Sequence, residues 1–152
     1  MSKPACGCPG ANVRTIEKKA TEEKTSTESR PSELRQWPTQ LHLVPPSAPY
    51  LKDAHLLIAA DCAPFAYAEF HRDFIKGRVL VNACPKLDDT SNYVDKLAEM
   101  ISQNDIKSVT VPIMEVPCCR GLAMMAQQAV EKSGKDVPLV IAVIGVDGER
   151  KS

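Results

Sequence analysis

The chain has 152 residues and a mass of 16.6 kDa, the size of one domain with room for a tail. Its 19 Lys and Arg balance its 19 Asp and Glu, which argues against a large basic nucleic-acid footprint and against a polybasic membrane anchor. One Trp, three Tyr and three Phe leave few platforms for stacking bases or sugars, and no apolar run approaches the roughly 20 residues of a bilayer span.

Residues 1–36 form the first of two expected units, a flexible arm that carries a pair of cysteines. Beyond Met1 their large apolar residues are Val13, Ile16 and Leu34, and the stretch TEEKTSTESRPSE has too little apolar surface to fold on its own. This linker joins the tip Cys6-Gly7-Cys8-Pro9-Gly10 to a body of residues 37–152. The opening MSKPACGCPG lacks an apolar signal-peptide stretch, so a soluble cytoplasmic protein is expected.

In the body, LHLV (41–44) predicts a short strand, stopped by Pro45-Pro46, and Trp37 is expected to anchor the linker. AHLLIAA (54–60) is a near-continuous apolar run, as a buried parallel strand requires. FAYAEFHRDFI (65–75) predicts a helix with Phe65, Ala66, Phe70 and Phe74 on one face. RVLVNA (78–83) is a second buried strand. TSNYVDKLAEMISQN (90–104) gives the clearest helix, with Tyr93, Val94, Leu97, Met100 and Ile101 on one face and Thr90 or Ser91 as its cap. SVTVPIMEV (108–116) is a third strand whose proline suggests an edge or a bulge. RGLAMMAQQAVEKSG (120–134) predicts a helix closed by Gly134, and PLVIAVIGV (138–146) a fourth strand. The alternation implies an α/β fold: an open parallel sheet of about four strands with covering helices and right-handed crossovers.

Six cysteines are the informative excess. A cytosolic chain of this length needs no disulfides, so thiols at 6, 8, 62, 84, 118 and 119 point to metal binding or redox chemistry. Cys62, Cys84 and the Cys118-Cys119 pair each follow a predicted strand, and in a parallel sheet all strand C-termini share one edge. Four thiols distant in sequence should therefore converge there. Helix N-termini at the same edge are expected to stabilise thiolates and lower their pKa values. Pro64, Pro85 and Pro117 would stiffen the loops, and Lys86 and Arg120 could offset anionic charge. Cys6 and Cys8, on one side of an extended segment, would close the site.

Soft thiolates select iron–sulfur clusters, zinc or Cu(I). Zinc favours compact CxxC knuckles, which are absent, and adjacent Cys118-Cys119 suit two irons of a larger cluster better than one small ion. All six cysteines are thus candidate ligands of a 4Fe-4S cluster or of a larger or non-cubane one. His42, His55 and His71 show no paired metal-face spacing. Asp61 is read as a partner near Cys62 or a helix cap, and Asp88-Asp89 as caps of the 90–104 helix. Met114, Met124 and Met125 read as core filler. Gly145 and Gly148 come too late for a dinucleotide fingerprint.

The segment QWPTQLHLVPPSAPYLKDAHLLIAADCAPFAYAEFHRDFIKGRVLVNACPKLDD, with EVPCCRGL later, closely resembles the C-terminal region of ferredoxin-type 4Fe-4S-binding iron–sulfur proteins of anaerobic microbes, over about residues 36–148. Many members of that family begin with a C-x₂-C-x₂-C-x₃-C-P module that this chain lacks. The resemblance implies redox or electron-transfer function with an unidentified redox partner protein. Cys84 followed by Cys118-Cys119 is also similar to the first half of the CCG motif of heterodisulfide reductases, which implies a non-cubane cluster. Here Arg120 interrupts the motif and its closing CxxC is missing. Three functions are therefore expected to compete: an electron-transfer or redox-sensing protein, a redox enzyme with an open iron or with thiol–disulfide chemistry at Cys118-Cys119, and a zinc-stabilised interaction module. Self-association is left open. Neither a nucleic acid nor a membrane is expected as a partner.

Overall fold

The computed structural model describes residues 12–17 and 28–152. Four strands, β1 (His55–Ala60), β2 (Val79–Ala83), β3 (Ser108–Met114) and β4 (Leu139–Ile144), form one all-parallel sheet in the order β2-β1-β3-β4. Positions 56–60 of β1 and 109–114 of β3 are buried throughout, which is why these runs lack polar alternation. Three helices alternate with the strands: α1 (Ala63–Ala66), α2 (Tyr93–Gln103) and α3 (Pro117–Ser133). Right-handed crossovers put α1 on one face and α2 and α3 together on the other, where the latter two pack side by side. Leu97, Met100 and Ile101 of α2 and Leu122, Ala126 and Ala129 of α3 turn inward. Among the described residues, no helix is long and apolar enough to cross a membrane.

The expected α/β architecture is present, with local differences that have physical causes. LHLV is a turn rather than a strand. Its edge pairing shrinks to one parallel bridge, Gln40 to Asn82, and the Leu43 and Val44 amides then close onto the Gln40 carbonyl. Leu41 and Val44, three apart, are buried while Leu43 is exposed, the spacing of a helical turn. The helix expected over 65–75 is broken. Pro64 starts α1, but Tyr67 is extended (φ −104°, ψ 111°), and the chain re-forms a single π turn at His71–Ile75. Phe70 and Phe74 are buried on that second piece, whereas Phe65, cut off from their periodicity, is 92% exposed. Trp37 is 78% exposed. The linker is instead held by Gln36, whose amide donates to the Leu80 carbonyl at 2.6 Å, and by Leu34, packed on the core. α2 begins at Asn92 without a side-chain cap, and the Tyr93 amide donates to the Thr90 carbonyl.

β3 is an interior strand, not an edge, despite Pro112. The Val109 and Glu115 amides donate to β4-side carbonyls, those of Pro138 and Ile144, so odd-numbered β3 amides face β4 and even-numbered ones face β1. Pro112 therefore lacks its donor on the β1 side alone. The β3–β4 ladder runs unbroken to Met114–Ile144, while the β1–β3 ladder stops at Leu57–Thr110, one ladder step before the proline. Beyond that point β1 is paired only with β2, out to Ala60–Ala83. The two central strands stay side by side, but their hydrogen-bond ladder stops short of the carboxyl edge.

After β4 the chain turns back on itself. Ile144 and Arg150 form an antiparallel bridge, and the Lys151 amide donates to the Val143 carbonyl. The turn places Gly148 (φ 86°) against α1, where a Cβ would lie 2.8 Å from the Ala66 carbonyl oxygen. Arg150 stacks its guanidinium over the Phe74 ring at 5.5 Å. Gly77 (φ 75°) would meet nothing within 4 Å. Gly77→Ala is expected to pay only the left-handed backbone cost of about 1–2 kcal/mol. Gly148→Ala should lose more, because it also displaces the Ala66 carbonyl. Thermal unfolding of the two variants checks the order.

Candidate functional site

Three strand-to-helix junctions supply four thiols to the carboxyl edge. Cys62 caps α1 directly after β1, Cys84 follows β2, and Cys118 and Cys119 lie in the first turn of α3 after β3. Strand direction alone brings them to one rim. The loop after β2 adds a second constraint by folding toward the α3 side. Pro85 lies so close to Gly121 of α3 that a Cβ there would stand 3.5 Å from the proline ring, an ordinary contact. Cys62 is exposed, Cys84 and Cys118 are half-buried, and Cys119 is buried. Cys6 and Cys8, the remaining candidates, lie outside the described residues.

The Cys84 loop is held by hydrogen bonds. The Asp88 amide donates to the Cys84 carbonyl at 2.9 Å, while the Asp88 carboxylate accepts the Cys84 amide at 3.0 Å and the Tyr93 hydroxyl at 2.6 Å. Burial, then the Asp88 hydrogen bond, holds the Tyr93 phenol well above its usual range, so it serves as a fixed donor. Asp89 accepts the Ser91 amide in a local turn. Neither aspartate caps α2 as expected from sequence. Asp61 accepts a hydrogen bond from the Asn82 amide group at 2.7 Å and its own amide donates to the Ala83 carbonyl, which ties the carboxyl ends of β1 and β2 together. The carboxyl ends of β1 and β2 are thus tied together by side-chain and backbone hydrogen bonds. In parallel α/β sheets, ligands sit where successive crossovers leave in opposite directions, and here that point lies between β1 and β3, flanked by Cys62 and by Cys118-Cys119.

The thiols sense one another. Desolvation at the rim, then the negative charges of Cys84, Asp61 and Cys118, push the Cys62 thiol up. Burial pushes Cys119 up to about 11, with Cys118 and Cys62 adding to the rise, although the Met114 backbone amide at its sulfur acts the other way. Met114 is one of the β3 amides that face β1, beyond the end of the ladder. The thiolate stabilisation expected from helix N-termini is therefore outweighed at these two positions: α1 has four residues, and Cys119 is buried beside other sulfurs. Thiols that repel each other as anions are what a bound cation would relieve. Among the described residues, no group of three or more His, Cys, Asp or Glu side chains is gathered as ligands of a single metal ion.

The histidines are dispersed and otherwise engaged. His42 packs its ring at 4.8 Å from Tyr93, His55 shares a 2.7 Å hydrogen bond with Ser108, and His71 accepts the Glu33 amide. Met114 is buried, and of the Met124–Met125 pair only Met125 packs on the core, Met124 being exposed. Sequence reasoning missed the Asp88–Tyr93 clamp and the seating of Pro85 on Gly121. The four-residue spacing of Cys84 and Asp88 was the available signal for the first, and nothing local signalled the second.

The folded metal-free chain keeps the Cys119 proton between about pH 9, the thiol's ordinary value, and about 11, where the unfolded chain has released it. Its stability should therefore fall as pH rises through that window. Cys119→Ala should remove this component of the slope, which denaturant titrations across the window measure.

Residues 48–151 match a family described as "Rossmann-like domain". An uncharacterized protein of Archaeoglobus fulgidus is 34% identical over 116 residues, covering 76% of this chain and 81% of its own length. No solved structure matches the chain. The first β–α turn, where dinucleotide-binding members of such folds carry glycines for a pyrophosphate, reads Asp61-Cys62-Ala63-Pro64 here. With an all-parallel sheet of order β2-β1-β3-β4 flanked by helices, the chain belongs to this family of Rossmann-like domains.

Proposed function

We propose that the protein binds an iron–sulfur cluster at the carboxyl edge of the sheet and works in electron transfer or redox sensing in an anaerobic cytoplasm, with a redox partner protein. The observation that supports this reading is that three separate strand–helix junctions deliver four cysteines to one edge of the sheet, with Cys62 feeling the charges of Cys84 and Cys118. The donor set fits: it is all sulfur, it spans several positions along one rim, and two of its members are adjacent in sequence, an arrangement that suits several irons better than one. Cys62, Cys84, Cys118 and Cys119 would supply the ligands from the body, with Cys6 and Cys8 as candidates from the arm.

The bound cluster would supply reversible one-electron chemistry. The residues of the chain do the rest. Asp88 and Tyr93 fix the Cys84 backbone, the Asp61–Asn82 pair fixes the strand ends beneath Cys62, and the Met114 amide donates toward the Cys119 sulfur. Hydrogen bonds to sulfur and partial burial are the terms by which a protein tunes a cluster's potential.

A second reading rests on Cys118 and Cys119, adjacent in the first turn of α3, which could undergo dithiol–disulfide exchange. Anaerobic purification or reconstitution should give a brown protein with iron and acid-labile sulfide in similar amounts and a paramagnetic signal on reduction. Cys62→Ser and Cys84→Ser should each lose most of the iron without loss of fold, since Cys62 is exposed and Cys84 only half-buried. A colourless product after anaerobic reconstitution overturns the reading. Stoichiometric zinc without sulfide would select a zinc module instead, and a reversible Cys118–Cys119 disulfide in metal-free protein would select exchange chemistry.

A further inference from the structure

The two outer edges of the sheet are finished differently. The edge of β2 is covered by the chain that precedes β1: the Gln36 side-chain amide donates to the Leu80 carbonyl, the Asn82 amide to the Thr39 carbonyl, and the Leu41 amide to the Asn82 carbonyl. The edge of β4 is covered over part of its length. The Val109 and Glu115 amides bond the Pro138 and Ile144 carbonyls, so even-numbered β4 residues turn their backbone groups to β3 and odd-numbered ones turn them outward. The tail takes the outward positions at the carboxyl end, with the Lys151 amide donating to the Val143 carbonyl and the Gly145 amide to the Glu149 carbonyl. Among the described residues, nothing bonds the outward groups of Leu139 and Ile141. The side chains there are apolar and open, Val140 being 51% and Ile141 38% exposed. No charged residue lies between Asp136 and Asp147. Pro138 is even-numbered, so its missing donor faces β3 and leaves the outer side unblunted. Native sheets protect such edges with charge, a bulge or a cover, and this stretch has none of them.

We propose that the open stretch of β4 is a self-pairing edge, on which a second copy of the chain lays its own β4 antiparallel, making one continuous sheet through both copies. A two-fold contact needs a surface that complements itself. Leu139 and Ile141 flank Val140, so the two-fold axis that pairs them with each other passes through Val140 and closes about four backbone hydrogen bonds. Val140 then faces its own counterpart, an apolar pair without like charges. The tail limits the pairing to this short stretch. At each end the exposed Lys135 and Asp136 of one copy approach the tail of the other, where Glu149 offers a carboxylate and Lys151 an ammonium. A second copy suits the edge better than a foreign strand, because one contact closes the open stretch on both molecules at once. With the β2 edges already covered, assembly stops at the dimer. The contact lies on the outer edge of the sheet and does not depend on what the thiol rim holds.

Sedimentation of the full chain, both metal-free and after anaerobic reconstitution, should show the same monomer–dimer equilibrium. Hydrogen exchange followed against protein concentration should slow at the outward amides of Leu139 and Ile141, while the inward amides of Val140 and Ala142 change less. Val140→Lys and Val140→Glu each put like charges across the axis and should each weaken the dimer about tenfold, and an equimolar mixture of the two should restore it. Ile141→Pro removes an outward donor and spares the ladder to β3, so it should weaken the dimer without unfolding the chain. Circular dichroism checks the fold of each variant, and the exchange measurement on the unmodified chain needs no variant. A chain that stays monomeric up to its solubility limit, a dimer indifferent to Val140 and Ile141, or growth beyond the dimer would each overturn the proposal.

Discussion

A single absent donor sets how the two central strands are bonded at the carboxyl edge of the sheet. Pro112 occupies the one register position on β3 where its missing N–H would have continued the ladder to β1, and the pairing of the two central strands ends at Thr110. On its other side β3 stays fully paired to β4, and it remains beside β1, so only the hydrogen-bond ladder ends along this seam. The seam lies where the crossovers diverge, and the Met114 amide, without a β1 partner, turns to the Cys119 sulfur.

Around that seam the rim is built from unequal parts. The β2 side is tied down by Asp61, Asn82, Asp88 and Tyr93, all linked by short hydrogen bonds to backbone or to one another. The α1 side is a single helical turn followed by an extended residue and a π turn. That irregular wall is anchored all the same, because Ala63, Phe70, Phe74 and Ile75 bury their side chains in the core.

Much of this was legible in the amino-acid order. Continuous apolar runs declared the buried parallel strands, and strand direction then forced Cys62, Cys84 and Cys118 to a common edge. Local periodicity failed where tertiary demands overrode it. The 65–75 segment carries a helical pattern, yet Phe65 turns outward because the helix ends at Ala66. LHLV has strand-like residues, yet two buried positions three apart make a turn. Pro112 was recognised as a strand irregularity, but only the alternation of amide directions reveals that it spares one ladder and ends the other. At Cys62 and Cys119 the expected lowering gives way to a rise for a related reason: a helix N-terminus is visible in sequence, whereas burial and neighbouring sulfurs are not.

The returning C-terminal segment gives the fold an unexpected mechanical linkage. It leaves β4, at one extreme of the sheet, and rests Gly148 on the end of α1 and Arg150 on Phe74, over the opposite half. The last few residues therefore act as a brace across the top of the molecule, bearing on the short helix that follows Cys62. A shift of the tail would bear directly on Ala66 and Phe74, and through the Ala66 amide, which donates to the Cys62 carbonyl, on the turn that Cys62 caps.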